Sequence, residues 1–207
     1  MLGLNQLEKA YMDDNERALE IEKTISLLIL DKSEFEQLKA NGKCTFRFDE
    51  KLFDLDFPGH YCRKIKSVAI TIPAVVGPYQ NVHATLRQTV NRVLLKPDPG
   101  GLKFLQNGKT NGSNPPESVR SDWRRPQQIV ISRGINDSGL FELNFRDERY
   151  LPFEGTGAVS DWEFEMPRES NREILDTISD VIIHLRYTAL DGGEAFRSTV
   201  GRTEQTQ

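Results

Sequence analysis

The hydrophobic pattern of this chain changes its period at Gly42, and this change limits the folds that the chain can adopt. Before Gly42, apolar residues recur every three or four positions, as on one face of an α-helix. After Gly42, apolar and polar residues alternate, as in a strand with one buried face. The sequence therefore predicts a helical segment over residues 1–41 and a mainly β domain over residues 42–196.

The N-terminal segment is predicted to form one long helix from Leu4 to Ile29, because this stretch contains no Gly or Pro. Its apolar residues form a coiled-coil-like seam that Asp14 and Lys32 interrupt. Two interpretations stay open: an amphipathic helix packed on its own domain, or a helix that packs against copies of itself. In the second case the oligomer interface would consist of Leu4, Leu7, Tyr11, Ala18, Ile21, Ile25 and Leu28.

A short second helix is expected before Gly42. Ser33 and Glu36 have the spacing of a capping box, and Asn41-Gly42 is a typical helix stop. The four residues from Leu27 to Leu30 are too apolar for a helix with one buried face, so we expect them to have partners on more than one side. The segment also carries the charge of the chain, since residues 1–41 hold nine acidic and five basic residues and the remainder holds 22 of each.

The rest of the chain reads as an antiparallel β-sandwich, because several predicted strands are separated by turn signals and no βαβ rhythm is visible. Residues 96–127 contain nine Pro or Gly residues and are predicted to form a long mobile loop, disordered in character. Residues 197–207 are polar and are expected to form a flexible tail. The predicted strands cover residues 44–48, 65–72, 82–95, 129–132, 140–145, 159–166 and 178–190.

Composition argues against several classes of function. The net charge of −4 does not suit a basic nucleic-acid binder. Cys44 and Cys62 are too few for a disulfide framework and lack the spacing of a zinc site. His184 is expected to be a solvated or hydrogen-bonded strand residue. We therefore expect no catalytic residues, no metal and no cofactor, and the acidic N-terminus lacks the features of a signal peptide.

Residues 141–157 mix aromatic, charged and glycine residues in a loop-like stretch. Such loops often form contact surfaces, and the alternative is a tightly packed corner of the sandwich. The candidate partner interface is Arg149, Tyr150, Leu151, Phe153 and Glu154.

Two further hypotheses remain. A carbohydrate-binding module would stack sugars on Trp123, Tyr150 and Phe153. A hydrolase would use paired carboxylates such as Glu148 and Glu154.

Longer stretches of the sequence resemble the C-terminal region of the A component of Tc toxins, the insecticidal toxin complexes. The resemblance extends from about Leu4 to Gly193. It is carried by residues 20–26 (EIEKTIS), 52–61 (LFDLDFPGHY), 63–68 (RKIKSV), 72–79 (IPAVVGPY), 136–155 (NDSGLFELNFRDERYLPFEG), 176–181 (DTISDV) and 184–187 (HLRY).

The resemblance implies a non-enzymatic docking module. In this family very large A chains assemble as pentamers around a central α-helical channel, and their C-terminal domain binds the B component. The B component is a cocoon gated by a β-propeller, and docking passes its toxic payload into the channel. The N-terminal helix would then correspond to the last channel helix, and the sandwich to the B-binding platform.

The resemblance also implies a secreted toxin complex, self-association, and membrane contact only through parts of the A component that this sequence lacks. The chain is accordingly expected to be a fragment, a split product or a stand-alone remnant. Residues 96–127 have no assigned counterpart in the family.

Overall fold

The computed structural model describes residues 17–74, 82–107, 114–122, 127–131, 140–143 and 152–204. Strands dominate this part of the chain. They are β1 (Leu19–Ser26), β2 (Lys43–Phe48), β3 (His60–Pro73), β4 (Ala84–Leu94), β5 (Val119–Asp122), β6 (Gln127–Ile131), β7 (Leu140–Leu143), β8 (Val159–Glu165) and β9 (Ile182–Asp191). The helices are α1 (Leu27–Leu30), α2 (Lys32–Asn41), α3 (Glu50–Asp54), α4 (Pro99–Gln106), α5 (Arg168–Thr177) and α6 (Gly193–Glu204).

The strands form two antiparallel sheets. The first has the order β1-β9-β3-β7, and the second has the order β2-β8-β4-β5 with β6 also paired to β4. Both sheets contribute to one hydrophobic core, which includes Ile70 and Tyr187 from the first sheet and Phe48 and Trp162 from the second. The prediction of a mainly antiparallel β fold is confirmed. The sandwich stays a prediction for how the two sheets pack.

Alternating apolar residues place the strands where the sequence predicts them, and all seven predicted strands overlap an observed one. In β8, Trp162 and Phe164 are buried, and in β2, which pairs with β8, Phe46 and Phe48 are buried. The ring centroids of Phe48 and Trp162 are 5.9 Å apart. Aromatic pairs of this kind on the buried face fix the register of adjacent strands.

The predicted long N-terminal helix is wrong over Leu19–Ser26, which form strand β1. Ile21 and Ile25 are four residues apart, and this spacing fits one face of a helix and one face of a strand equally well. In the structure they lie opposite Tyr187 and Ile183 of β9, and both side chains are buried. Pairing with β9 decides for the strand because it satisfies the backbone groups that face β9 and buries both side chains.

The other residues of the predicted seam have different environments. Ala18 is exposed ahead of β1, and Leu28 lies in α1, where it is partly buried against the core of its own chain. Leu4, Leu7 and Tyr11 lie outside the described residues. A continuous helical seam through all seven residues is therefore not formed.

Asp31 joins the two helices that follow β1. It ends α1, and its Oδ1 accepts hydrogen bonds from the N–H groups of Ser33 at 3.0 Å and Glu34 at 3.1 Å. The Ser33 hydroxyl and these backbone N–H groups hold the pKa of Asp31 below its ordinary value. The short second helix is confirmed, and so is its stop, since Gly42 has a φ of 75°. The predicted Ser33–Glu36 capping box is wrong, because Asp31 is the N-cap.

The predicted loop over residues 96–127 is wrong in part, because it contains α4 and β5. Asp98 caps α4 by accepting hydrogen bonds from the N–H groups of Gly100 and Gly101, and Pro99 occupies the first turn, where proline is favoured. Leu102 and Leu105 are buried. A Cβ added at Gly101 would lie 2.6 Å from the side chains of Leu94 and Ser118. Glycine here permits close packing.

The predicted flexible tail is also wrong as far as Glu204. Helix α6 spans Gly193–Glu204, and Phe196 and Val200 are buried on one of its faces. The ring of Phe196 packs edge-on against that of Tyr61 in β3, with centroids 6.5 Å apart. Two apolar residues one helical turn apart are enough to fix the helix on the core.

Gly157 connects the two sheets. It forms an isolated antiparallel bridge with Lys64 of β3, its N–H donates to Asn91 Oδ1 at 2.9 Å, and its carbonyl accepts from Gln88 Nε2 at 3.3 Å. A Cβ at this position would overlap the backbone carbonyl of Arg92. Only glycine allows the backbones of the two sheets to approach so closely.

We expect Gly157→Ala to lower the free energy of unfolding by about 3 kcal/mol, because the rigid backbone of β4 cannot move away from the added methyl group. Gly155→Ala is the matched control. Gly155 has a φ of 74° and open space around it, so the change should cost about 1 kcal/mol of conformational strain alone. Urea unfolding of both variants measures the difference, and equal losses would contradict the steric explanation.

Candidate docking surface

The described residues show no group of three or more His, Cys, Asp or Glu side chains that could hold a metal ion. The His184 ring lies between two hydroxyls, with Nδ1 3.2 Å from Thr24 Oγ1 and Nε2 3.1 Å from Thr71 Oγ1. This confirms the hydrogen-bonded strand histidine. Burial raises the pKa of the Cys44 thiol to about 12, so the thiol stays protonated at neutral pH. No helix within the described ranges is long and apolar enough to cross a membrane.

Of the predicted partner interface, the structure describes Phe153 and Glu154. Arg149, Tyr150 and Leu151 lie outside the described residues, as do Trp123 and Glu148 of the alternative hypotheses. Phe153 is fully buried, and its ring lies edge-on against Trp162 with centroids 4.9 Å apart. It cannot stack on a sugar in this position. Glu154 is exposed. A Cβ added at the next residue, Gly155, would have no heavy atom within 4 Å.

The turn that contains Glu154 is fixed by the burial of Phe153 and by two backbone hydrogen bonds to β3. Phe153 has a φ of 71°, a left-handed conformation that is rare for a bulky residue. The N–H of Gly155 donates to the Ile65 carbonyl at 2.8 Å, and the N–H of Ile65 donates to the Thr156 carbonyl at 2.8 Å. Buried Phe153 thus anchors a tight turn on β3 and leaves Glu154 at its tip.

A second surface feature lies beside β1. We call it the edge groove: a groove of about 310 Å³ lined by residues 23–26 of β1 together with Ile29, Leu30, Leu52, Asp180 and Ile182. Leu27 of α1 is fully buried, whereas Ile29 is 87% exposed. Leu28 and Leu30 pack partly against the core. Within the described chain, Ile29 is therefore the residue of this run that lacks the partners we expected for Leu27 to Leu30. Sequence reasoning marked this run as unusual but did not locate the groove.

Helix α3 supplies Leu52 to the wall of the groove and is tied to the rest of the fold by charges. Lys23 of β1 forms an ion pair with Asp56, just after α3. Asp49 caps the helix by accepting a hydrogen bond from the Leu52 N–H at 2.9 Å. Leu55, at the end of α3, is 74% exposed but does not line the groove.

A buried ion cluster holds α3 against β3. Arg63 is only 2% exposed; its guanidinium forms an ion pair with Glu50, and its Nη2 donates to Asp54 Oδ1 at 2.9 Å and to the Phe57 carbonyl at 3.0 Å. Gln106 of α4 adds a hydrogen bond from Nε2 to Asp54 Oδ2 at 3.2 Å. The guanidinium thus contacts α3 and the segment after it, and α4 is linked to it through Asp54.

An irregularity in β3 accompanies this inward arginine. Cys62 has a φ of 53°, and the register against β9 shifts between Tyr61 and Lys64. A bulge changes which side chains face inward, at the expense of regular pairing. Here Arg63 is buried with Tyr61 and Ile65 on its two sides.

The cluster contains one more carboxylate than it has cations. Burial raises the pKa of Glu50 to about 7, and the negative charges of Asp54 and Asp49 act in the same direction while Arg63 opposes them. Asp54 accepts hydrogen bonds from Arg63 and Gln106, and both favour its charged form. We therefore assign to Glu50 the one proton that makes the cluster neutral. When Glu50 is protonated, the buried group is electrically neutral.

We expect stability to fall as the pH rises from about 4.5 to about 7, and Glu50→Gln to remove this component. The folded state binds the Glu50 proton more tightly than the unfolded chain does, so its contribution is complete below the ordinary pKa of 4.5 and is lost by about pH 7. The difference in unfolding free energy between the wild type and the variant, measured by urea at several pH values, isolates this group. Glu36→Gln, an exposed change, is the control, and parallel profiles for all three proteins would contradict the assignment.

Comparison with known proteins identifies the family. A family model described as the Tc toxin complex TcA C-terminal TcB-binding domain matches residues 1–189. The chain is 41% identical over 205 residues to the toxin subunit YenA2 of Yersinia entomophaga, covering 96% of this chain and 15% of that protein. The chain thus spans about 15% of the length of this curated relative.

Two solved structures are similar to this chain. The cryo-EM structure of Yersinia pseudotuberculosis TcaA-TcaB aligns with a TM-score of 0.50 and 26% identity, over 90% of this chain and 10% of that one. That of Morganella morganii TcdA4 has a TM-score of 0.45 and 26% identity, over 90% of this chain and 8% of that one. The resemblance to the A component of Tc toxins is therefore confirmed, and the chain belongs to the Tc toxin complex TcA C-terminal TcB-binding domain family.

Proposed function

We propose that this chain docks the B component of a Tc toxin onto an oligomeric A component and has no catalytic role of its own. The observation that carries the proposal is the match of residues 1–189 to a TcB-binding domain. In this proposal the chain contacts the β-propeller of the B component, and the payload passes from there into the A channel. The complex acts outside the producing cell.

The described scaffold is suited to this role. Two sheets share one core, and Gly157 and the Arg63 cluster fix the strands and helices relative to one another. A docking platform benefits from such rigidity because less conformational entropy is lost when the partner binds.

Within this role, we assign the contact with the B component to Glu154, at the tip of the anchored turn, and to the preceding residues Arg149, Tyr150 and Leu151. Phe153 is the buried anchor of Glu154. Self-association, as a pentamer in the complete A component, is assigned to Leu4, Leu7 and Tyr11. Ile21 and Ile25 do not contribute to it, because they are buried inside their own chain.

We expect Glu154→Lys to weaken binding to the purified B component about tenfold or more, because it reverses a charge at the centre of the proposed contact. Glu169→Lys is the matched control, since Glu169 is also exposed but lies on α5. Biolayer interferometry with the wild-type chain and both variants measures the effect. The turn is excluded as the contact if both variants bind like the wild type, and the docking function itself is excluded if the wild-type chain does not bind.

A further inference from the structure

Strands β1 and β2, each at one edge of its sheet, differ in how that edge is protected. The edge of β2 is closed by α2: Glu34 accepts hydrogen bonds from the Thr45 N–H at 2.7 Å and from its hydroxyl at 3.2 Å. A carboxylate that occupies an edge donor prevents another strand from pairing there. Strand β1, eight residues long, pairs with β9 on one side, and no described residue forms a backbone hydrogen bond to its other side.

The edge groove runs along this open side of β1. Its lining includes the four consecutive residues 23–26, whose side chains alternate between the two faces of the sheet. A groove that touches both faces includes the backbone edge, and Asp180 and Ile182, at the start of β9, line the part of it beyond the end of β1. Ile29 and Leu30 of α1 and Leu52 of α3 form an apolar wall facing that edge. Backbone groups and an apolar wall together are what a strand-addition site requires.

The charges along β1 define what can lie beside it. Glu20 is engaged by Lys66 at 2.7 Å and by Arg186 at 2.8 Å, and Lys23 is engaged by Asp56. Glu22 is exposed and lies opposite Arg186 in the register, but the described residues form no ion pair with it. Asp180, which lines the groove, accepts hydrogen bonds from Ser26 and from the Leu28 N–H and likewise has no ion pair to a described residue. The charges here that lack an ion pair are therefore negative, and a neighbouring strand gains by placing a cation beside them.

A second copy of β1 does not meet this requirement. When two β1 strands pair antiparallel about a two-fold axis with their buried faces on the same side, each residue near the axis lies opposite its own copy. Because Glu22 and Lys23 are the central residues of β1, the registers with the longest overlap place either two carboxylates or two ammonium groups opposite each other. Like charges directly opposite are destabilising. A segment with a different sequence can pair with the full length of β1 without this repulsion.

We propose that the open edge of β1 accepts an extended segment of a partner protein that alternates apolar and basic residues. The segment adds a strand to the first sheet by hydrogen-bonding the outer backbone groups of β1. Its apolar side chains face Ile29, Leu30 and Leu52, and a Lys or Arg lies opposite Glu22.

Isothermal titration calorimetry with a synthetic peptide of alternating valine and lysine residues, acetylated and amidated at its ends, tests the proposal. Two control peptides separate the interactions: one has every second backbone nitrogen methylated, and the other has glutamate in place of lysine. Ile29→Asp is the test variant, and Leu55→Asp is its matched control, because both residues are exposed but Leu55 does not line the groove. Circular dichroism confirms that each variant is folded.

We expect the valine–lysine peptide to bind the wild type and Leu55→Asp alike, and to bind Ile29→Asp about tenfold more weakly or not at all. The methylated and glutamate peptides should lose most of the binding, and Glu22→Lys should reverse the preference between the lysine and glutamate peptides. The bound peptide should slow hydrogen exchange of the amides in residues 19–26.

Absence of binding by the valine–lysine peptide would overturn the proposal, as would equal binding of the methylated peptide. A wild-type dimer in sedimentation that Ile29→Asp disperses would overturn it in favour of a second copy of the chain. The assay requires no B component, so its outcome is independent of the docking function proposed above.

Discussion

The buried guanidinium of Arg63 sets a requirement that three surrounding elements have to meet. A charge removed from water must be hydrogen-bonded and paired, or the fold loses several kcal/mol. Helix α3 provides two carboxylates, the chain after it provides the Phe57 carbonyl, and α4 supports one carboxylate through Gln106. These contacts with Arg63 help to hold α3 and α4 in place on β3, and the wall of the edge groove depends on the same placement because Leu52 lies in α3.

A neutral cluster of this kind stabilises one arrangement more than it stabilises the fold as a whole. Apolar residues of similar volume would serve the core at least as well, whereas removal of one partner leaves an uncompensated charge. The cluster therefore favours α3 in its observed position over other positions with similar apolar burial. That specificity matters for a surface whose shape has to match a partner.

The sequence predicts the β part of the fold well because alternation is a local signal with a single meaning. Prediction from the sequence fails where the same spacing of apolar residues fits both a helix and a strand, as with Ile21 and Ile25. There the choice depends on pairing with β9, which is distant in the sequence. Prediction fails at α4 and α6 because Pro, Gly and polar residues were taken as signs of loops, whereas Asp98 caps a helix and Phe196 anchors one. The edge groove and the Arg63 cluster depend on contacts between segments far apart in the chain, and no local pattern contains them.

The order of strands in the first sheet has a consequence for how the chain is made. β9 lies between β1 and β3, so β1 has no neighbour, and β3 has only β7, until the ribosome has synthesised almost all of the residues up to 191. Ile25 and Ile70 both lie opposite Ile183, so neither has this cross-strand partner until Ile183 has been synthesised. During translation the apolar faces of β1 and β3 must remain protected, either by transient contacts or by chaperones. A product that ends before residue 182 lacks β9, so β1 and β3 have no common neighbour and the first sheet cannot form.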